Sequence, residues 1–309
     1  MNNQIAVYSE SQSIFDQLLE AAGDGLSLEF NPKWDVAKKD QLIICDLLTF
    51  EDMAEKFFEL PKGNVYVISP LPDDENMKLI QKYSLMHLVG QNEKIFASEI
   101  IHHIKKQISK KIWGLNSYLD TDATMKIISL SDSKFTNELF QDSLAHFDFK
   151  DYFASPIEYL QVMANELISN SLYKGPNKKR RAVGQDSVDR KSPVFLKGSD
   201  LVQVTLGMDD KGVALSVQDS FGELSYEILI SSLKRSFEEK TAMDKKDGAG
   251  LGLYLTFLHS NQFIINYKQG YRTEVICIID KNKRYKNYKQ RIRSFHFFQE
   301  VAVEKTINK

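Results

Sequence analysis

The sequence predicts an α/β protein of two domains, the first a doubly wound parallel sheet. The 309 residues suit two domains and supply ample material for two cores. Over about the first 108 residues, short apolar runs alternate with segments of helical periodicity, the pattern of a parallel sheet covered on both faces. From about residue 125 a second set of strand-like runs and amphipathic stretches follows, broken by glycine turns.

The composition narrows the class. Hydrophobic content of 42% with 27% charged residues is that of a soluble globular chain. A net charge of −2 gives no global attraction to nucleic acid or membrane. Met1–Tyr8 has no basic region and no long apolar run, so neither a signal peptide nor an anchor is expected there. No apolar stretch reaches the length of a bilayer span. Cys45 and Cys277 sit in apolar runs far apart, which predicts buried free thiols in a reducing cytoplasm.

Ile5–Tyr8 reads as a strand, followed by Ile14, Leu18 and Leu19 at helical spacing. Leu42–Asp46 is a second buried strand ending on an acid. Asn64–Ser69 is a third, closed by Pro70, and Met86–Gly90 a fourth. Helical segments lie between them, around residues 50–60 and 73–83. Polar residues at the carboxyl ends of such strands are where these folds place ligands. A helix over Glu99–Tyr118 carries an apolar stripe of Ile100, Ile101, Ile104, Ile108, Ile112 and Trp113.

Met125–Leu130 opens the second domain as a strand. Ser155 and Pro156 are an N-cap and a first helical position, and Leu160, Met163, Leu167, Ile168 and Leu172 form that helix's buried stripe. Glu166 and Asn170 are four residues apart, so both project from one face. Such a pair can hold a hydrated cation and position a water, or be a hydrogen-bonded surface pair. Lys174–Arg181, with Gly175 and Pro176, is expected to break the helix, and Gly175 to about Asp200 to form a polar, basic loop. Lys178, Lys179, Arg180 and Arg181 are either a contact for an acidic partner or a solvated charge run.

Leu201–Met208 and Val213–Gln218 read as paired strands joined by a turn at Asp209–Gly212, with Asp219 at the end of the second. Ser225–Glu238 is amphipathic and Glu239–Asp247 charged. Phe263–Tyr267 and Thr273–Ile279 are closing strands. Lys281–Arg293 is basic with interleaved Tyr285 and Tyr288, and the apolar Phe295, Phe297 and Phe298 after it argue that it docks on the domain. The organisation predicted is residues 1–108 as the first domain, 109–124 as a helical connector and 125–309 as the second domain with a basic extension.

The chemistry centres on Asp247-Gly-Ala-Gly-Leu-Gly-Leu-Tyr254. Gly248, Gly250 and Gly252 run into a helical pattern, and glycine turns at helix N-termini present free N–H groups to anions. A glycine turn before a buried helix has the same look. The pattern is neither a Walker loop nor the dinucleotide spacing.

Together with Val162–Gly175, which contains Asn-Glu-Leu-Ile-Ser-Asn, and Leu215–Leu224, which contains Asp219-Ser-Phe-Gly222, this stretch resembles the three boxes of a known superfamily. That superfamily is the histidine-kinase-like ATPases, shared by gyrase, heat-shock-90-type chaperones, histidine kinases and mismatch-repair ATPases. The resemblance spans about Phe153 to Ile279. It implies an α/β sandwich binding ATP and Mg²⁺, with Asn170, Lys174, Asp219, Gly222, Gly248, Gly250, Gly252 and Thr273 around the nucleotide. Asp219 would accept from the adenine amino group, Asn170 would hold magnesium, and Glu166 would be a general base. Thr273 would join the adenine water network, and residues 239–247 would be the ATP lid. The aspartate box departs from its usual pattern, because Phe221 or Glu223 replaces a glycine.

The first 108 residues resemble a response-regulator receiver. Asp46 falls at the phosphorylated aspartate, Ser69 at the switch hydroxyl, and Ser9-Glu10 at the acidic pair that holds magnesium, of which only Glu10 is acidic. The receiver lysine is missing near Gln91. Phosphotransfer to a carboxylate needs cations to neutralise the phosphoryl oxygens. A pseudo-receiver used for docking or dimerisation is therefore expected. His102-His103 lacks the following acid and proline of a phosphorylated histidine box, which disfavours a histidine kinase.

The functional expectation is a cytoplasmic signal-transduction protein, a serine-kinase-type switch acting on a signalling partner. The rival is a non-catalytic, nucleotide-responsive scaffold or dimerisation protein. A signalling protein and a second copy of the chain are the partners implied. Membrane and nucleic acid are not expected as partners.

Overall fold

The computed structural model describes residues 4–34, 40–93, 95–133, 137–182, 192–240 and 251–300. It is a mixed α/β protein whose chain forms two compact units. The first comprises residues 1–112 and 289–297, the second residues 113–288 and 298–309. The sequence division left the whole tail with the second domain. In the structure residues 289–297 belong to the first.

In the first unit, β1 (Gln4–Tyr8), β2 (Ser27–Phe30), β3 (Ile43–Asp46), β4 (Val65–Ser69) and β5 (His87–Gly90) form a parallel sheet in the order β2-β1-β3-β4-β5. Ile5, Val7, Ile44, Tyr66, Ile68 and Val89 share one face with Leu18 of α1 (Gln12–Ala22) and with Phe96, Ile100 and Ile104 of α4 (Ile95–Ser109). On the opposite face Tyr8 meets Phe57 of α2 (Leu47–Phe57), and Phe50 of α2 meets Tyr83 of α3 (Asp73–Tyr83) edge-on. Helices on both faces make β1, β3, β4 and β5 buried on both sides, which is why they are continuously apolar. The strand order reverses between β1 and β3, so Tyr8-Ser9-Glu10 and Asp46 meet at the switch point.

Two expectations about helices change. The helix expected over Glu99–Tyr118 spans Ile95–Ser109. It ends because Lys110 turns left-handed at φ 55°, and Ile112 is buried beyond the helix. The helix expected to break at Lys174–Arg181 runs instead from Pro156 to Ala182 as α6, with Pro176 inside it. Proline costs a helix one backbone bond but not its φ, so one turn can absorb it. The side chains of Lys178–Arg181 lie outside the described residues.

In the second unit, β6 (Thr124–Leu130), β7 (Val202–Met208), β8 (Gly212–Asp219), β9 (Gln262–Lys268) and β10 (Arg272–Asp280) form an antiparallel sheet in the order β9-β10-β8-β7-β6. Asp209 makes the expected β7–β8 turn by accepting from the N–H groups of Lys211 and Gly212 at 2.8 and 2.9 Å. The helix α6 packs on this sheet with α8 (Leu251–His259), beside α7 (Tyr226–Lys240). A short helix, α5 (Asn137–Leu144), precedes α6. The Trp113–Leu119 segment covers the other face. There Glu274 is buried and accepts from Ser216 at 2.7 Å, Gly114 N–H at 2.9 Å and Asn266 at 3.1 Å.

The basic stretch 281–293 docks on its own chain. Tyr288 of α9 (Tyr285–Gln290) stacks on Phe153 at 4.3 Å, and Lys283 pairs with Asp151 at 2.8 Å. Arg291 and Arg293 are buried in ion pairs with Glu99 and Asp73. The final strand, β11 (Ser294–Gln299), runs antiparallel to β5. Both cysteines are buried free thiols, as expected.

Candidate functional site

The stripe Leu160, Met163, Leu167 and Leu172 buries one side of α6 and fixes which residues flank it. Glu166 and Asn170 stand at the margin, half-buried, and the Asn170 amide donates to Glu166 Oε1 at 2.8 Å. That bond directs the amide oxygen, the atom that suits a hard cation, away from the carboxylate. Lys174 lies one turn further along and is exposed.

Gly252, in the first turn of α8, faces the same carboxylate. A Cβ on Gly252 would fall 1.8 Å from Cδ of Glu166, so the missing side chain is the space that the carboxylate fills. Sequence reading assigned this glycine to a phosphate cradle; the structure also gives it the seating of Glu166. Residues 241–250, which include Gly248, Gly250 and most of the charged segment 239–247, lie outside the described residues.

Asp219 closes β8 on the sheet face toward α6. Its Oδ1 accepts from the N–H of Phe221 at 2.9 Å and of Gly222 at 3.4 Å, and the Ser171 hydroxyl of α6 also bonds it. Burial pushes the carboxyl up to about 6, and the nearby Glu223 charge adds to this against the pull of the hydrogen bonds.

Thr273 of β10 sits directly across the ladder from Asp219. It is 3% exposed, and its hydroxyl is buried with no hydrogen-bond partner. A buried hydroxyl without a partner is costly and calls for an account, such as a water or ligand atom that completes it.

Gly222 has a structural duty. Its φ is +61°, and a Cβ would lie 2.2 Å from the carbonyl oxygen of Lys268 and 2.5 Å from the N–H nitrogen of Tyr271. Only glycine combines that left-handed geometry with so close an approach of the β9–β10 turn. Phe221, which with Glu223 is one of the two candidates for the departure from the usual box, packs its buried ring on Gly175 of α6, where a Cβ would lie 2.4 Å from the ring.

The structure therefore gathers Glu166, Asn170 and Gly252 into one group and Asp219, Gly222 and Thr273 into another, with adjacent residues of α6 serving both. Ser171 was missed, although a small polar residue beside Asn170 on an apolar helix was visible. The role of Gly175 was missed because it depends on where Phe221 lands.

At the switch point of the first unit, Asp46 is the N-cap of α2. Its Oδ1 accepts from Thr49 N–H at 2.8 Å, and its Oδ2 from the Ser9 hydroxyl at 2.5 Å and Glu10 N–H at 3.1 Å. Glu10 is exposed and reaches Asp46 through its backbone. Ser69 is buried and donates to Asn76 Oδ1 at 2.6 Å.

No helix among the described residues is long and apolar enough to cross a membrane. No protein-family model matches the sequence, and no curated protein is significantly similar to it.

Proposed function

We propose that the second unit is a histidine-kinase-like ATPase domain that binds adenine nucleotide with Mg²⁺. In this reading the protein is a cytoplasmic signalling switch whose first unit is a receiver-like docking or dimerisation module. One observation carries the proposal. At the end of β8 and β10 a strand-terminal carboxylate, Asp219, lies across from a buried hydroxyl, Thr273, that has no partner. An amino-substituted heterocycle with a bridging water would supply a donor to the first and complete the second.

The remaining residues fit the group. Asn170 would offer an amide oxygen to magnesium, Lys174 an exposed cation to phosphate, and Gly252 a backbone free of side-chain bulk beside Glu166. ATP with Mg²⁺, when bound, supplies a phosphoryl group whose charge is partly neutralised. Glu166 would take the proton of an attacking water or of a partner's serine hydroxyl, and the Asn170 amide at 2.8 Å holds that carboxylate in place.

Calorimetry of the full chain with Mg·ADP and Mg·ATP tests the reading. Binding in the micromolar to submillimolar range is expected, and no heat at millimolar ligand refutes it. Glu166→Ala is expected to keep ATP affinity and lose about 10²–10⁴ in any turnover or transfer, the usual loss of a general base. Binding without turnover in the parent protein favours the scaffold reading. The engagement of both oxygens of Asp46 already points that way for the first unit.

A further inference from the structure

We propose that the first unit holds a transition-metal ion of the Zn²⁺ class between Glu99 and His103 of α4 and His296 of β11. The three residues are buried, and one ligand atom from each lies within 4.8 Å of the others. Glu99 and His103 are four apart on α4, so the helix presents both on the face that receives β11. Glu99 Oε1 and His296 Nε2 are already 3.5 Å apart, close to the about 3.4 Å separating two ligands at about 2.1 Å from a tetrahedral ion. The rings of His103 and His296 lie 3.8 Å apart between centroids. Two imidazoles and one carboxylate match the three-ligand zinc pattern, and nitrogen donors favour zinc over magnesium or calcium.

The surroundings suit a bound ion. Arg291 holds Oε2 of Glu99 at 3.0 Å, which leaves Oε1 as the oxygen turned toward the imidazoles. His296 Nδ1 lies 3.2 Å from His87 Nδ1, and His87 stacks on Tyr66. In the tautomer in which His296 Nδ1–H donates to His87 Nδ1, the lone pair of His296 Nε2 faces Glu99. A cation between that nitrogen and the carboxylate oxygen would be bound by both. Second partners of this kind orient the metal-binding histidine. An ion here would fasten the returning strand β11 to a helix almost two hundred residues earlier in the chain.

The test uses the full chain, stripped with chelator and titrated with Co²⁺ as a spectroscopic stand-in and then with Zn²⁺. One equivalent is expected, with intense visible bands of four- or five-coordinate cobalt that Zn²⁺ bleaches. His103→Gln is expected to weaken Zn²⁺ binding more than 100-fold, and His87→Phe about 10–100-fold, as for loss of a supporting partner. His102→Gln, beside the site, should bind as the parent does. Absence of these bands in the folded parent overturns the proposal, and so does unchanged affinity in His103→Gln. Should His103→Gln fail to fold, X-ray absorption of the parent decides. Two imidazoles with oxygen support the site, and any shell without imidazole overturns it.

Discussion

Asp219→Asn separates the stability of the second unit from its proposed ligand. The carboxyl is raised from 3.8 to about 6, chiefly by burial. Between about pH 4 and 6 the folded protein keeps a proton that the unfolded chain releases. Stability therefore falls as pH rises through that window and is flat above it. At about 1.4 kcal/mol per tenfold, the ionised carboxylate costs the fold at most about 3 kcal/mol at pH 7.5. Asparagine keeps an oxygen for the Phe221 and Gly222 N–H groups and turns its amide toward Ser171, without the charge. The variant should lose the pH slope and be more stable than the parent at pH 7.5, by up to about 3 kcal/mol. It should also bind Mg·ADP about 5- to 150-fold more weakly, since one buried hydrogen bond lost with its partner left behind costs about 1–3 kcal/mol. Denaturant unfolding in a Trp34→Phe background, where Trp113 alone reports and lies in the second unit, measures the first. Calorimetry measures the second. A variant that is less stable at pH 7.5, or that binds ADP as the parent does, refutes the reasoning.

Gly222→Ala should cost at least about 2 kcal/mol, more than the about 1–2 kcal/mol of a left-handed alanine, because its Cβ meets backbone at 2.2 Å. Gly270→Ala, also left-handed but with nothing within 4 Å of the added Cβ, should show the conformational cost alone in the same unfolding experiment. Glu274→Ala strands the Gly114 N–H and the Asn266 amide and should cost at least about 2 kcal/mol, read as a lowered denaturant midpoint of the Trp113 signal. Acetyl phosphate or beryllofluoride should leave Asp46 unmodified. A mass increase that disappears in Asp46→Asn would show a working phosphoacceptor.

Much of the fold was legible because burial on both faces writes continuous apolar runs. The strands β1, β3, β4 and β5 are such runs. The edge strand β2, Ser27-Leu-Glu-Phe30, is only partly buried and carries no such signal. The end of α4 was misread because the apolar stripe continues to Ile112 after the helix has stopped at a left-handed lysine. Periodicity reports burial, and here burial outlasts the helix. The Glu166–Asn170 pair was legible because i,i+4 spacing is local. The hydroxyl of Thr273 opposite Asp219 depends on strand register, and His103 beside His296 depends on a strand returning from the far end of the chain. Neither is written in any one stretch.

The departures from the two resemblances have physical consequences that point in different directions. In the aspartate box Phe221 fills the groove at Gly175, which anchors the loop after β8 to α6 and leaves Asp219 held by Ser171 and two N–H groups. That change braces the carboxylate without consuming the hydroxyl across from it. In the first unit Ser9, standing where a second acid would be, donates to Asp46 at 2.5 Å, while Thr49 and Glu10 supply backbone N–H groups. Three donors on one carboxylate make it a better cap and a poorer nucleophile, because its lone pairs are engaged. A ligand in the second unit would complete a polar group that the protein leaves without a partner. A phosphoryl group on Asp46 would have to displace hydrogen bonds that start α2 and tie β1 to β3. The carboxylate at the switch point of the first unit is thus engaged by its own chain, whereas the second unit keeps a buried hydroxyl at Thr273 without a partner.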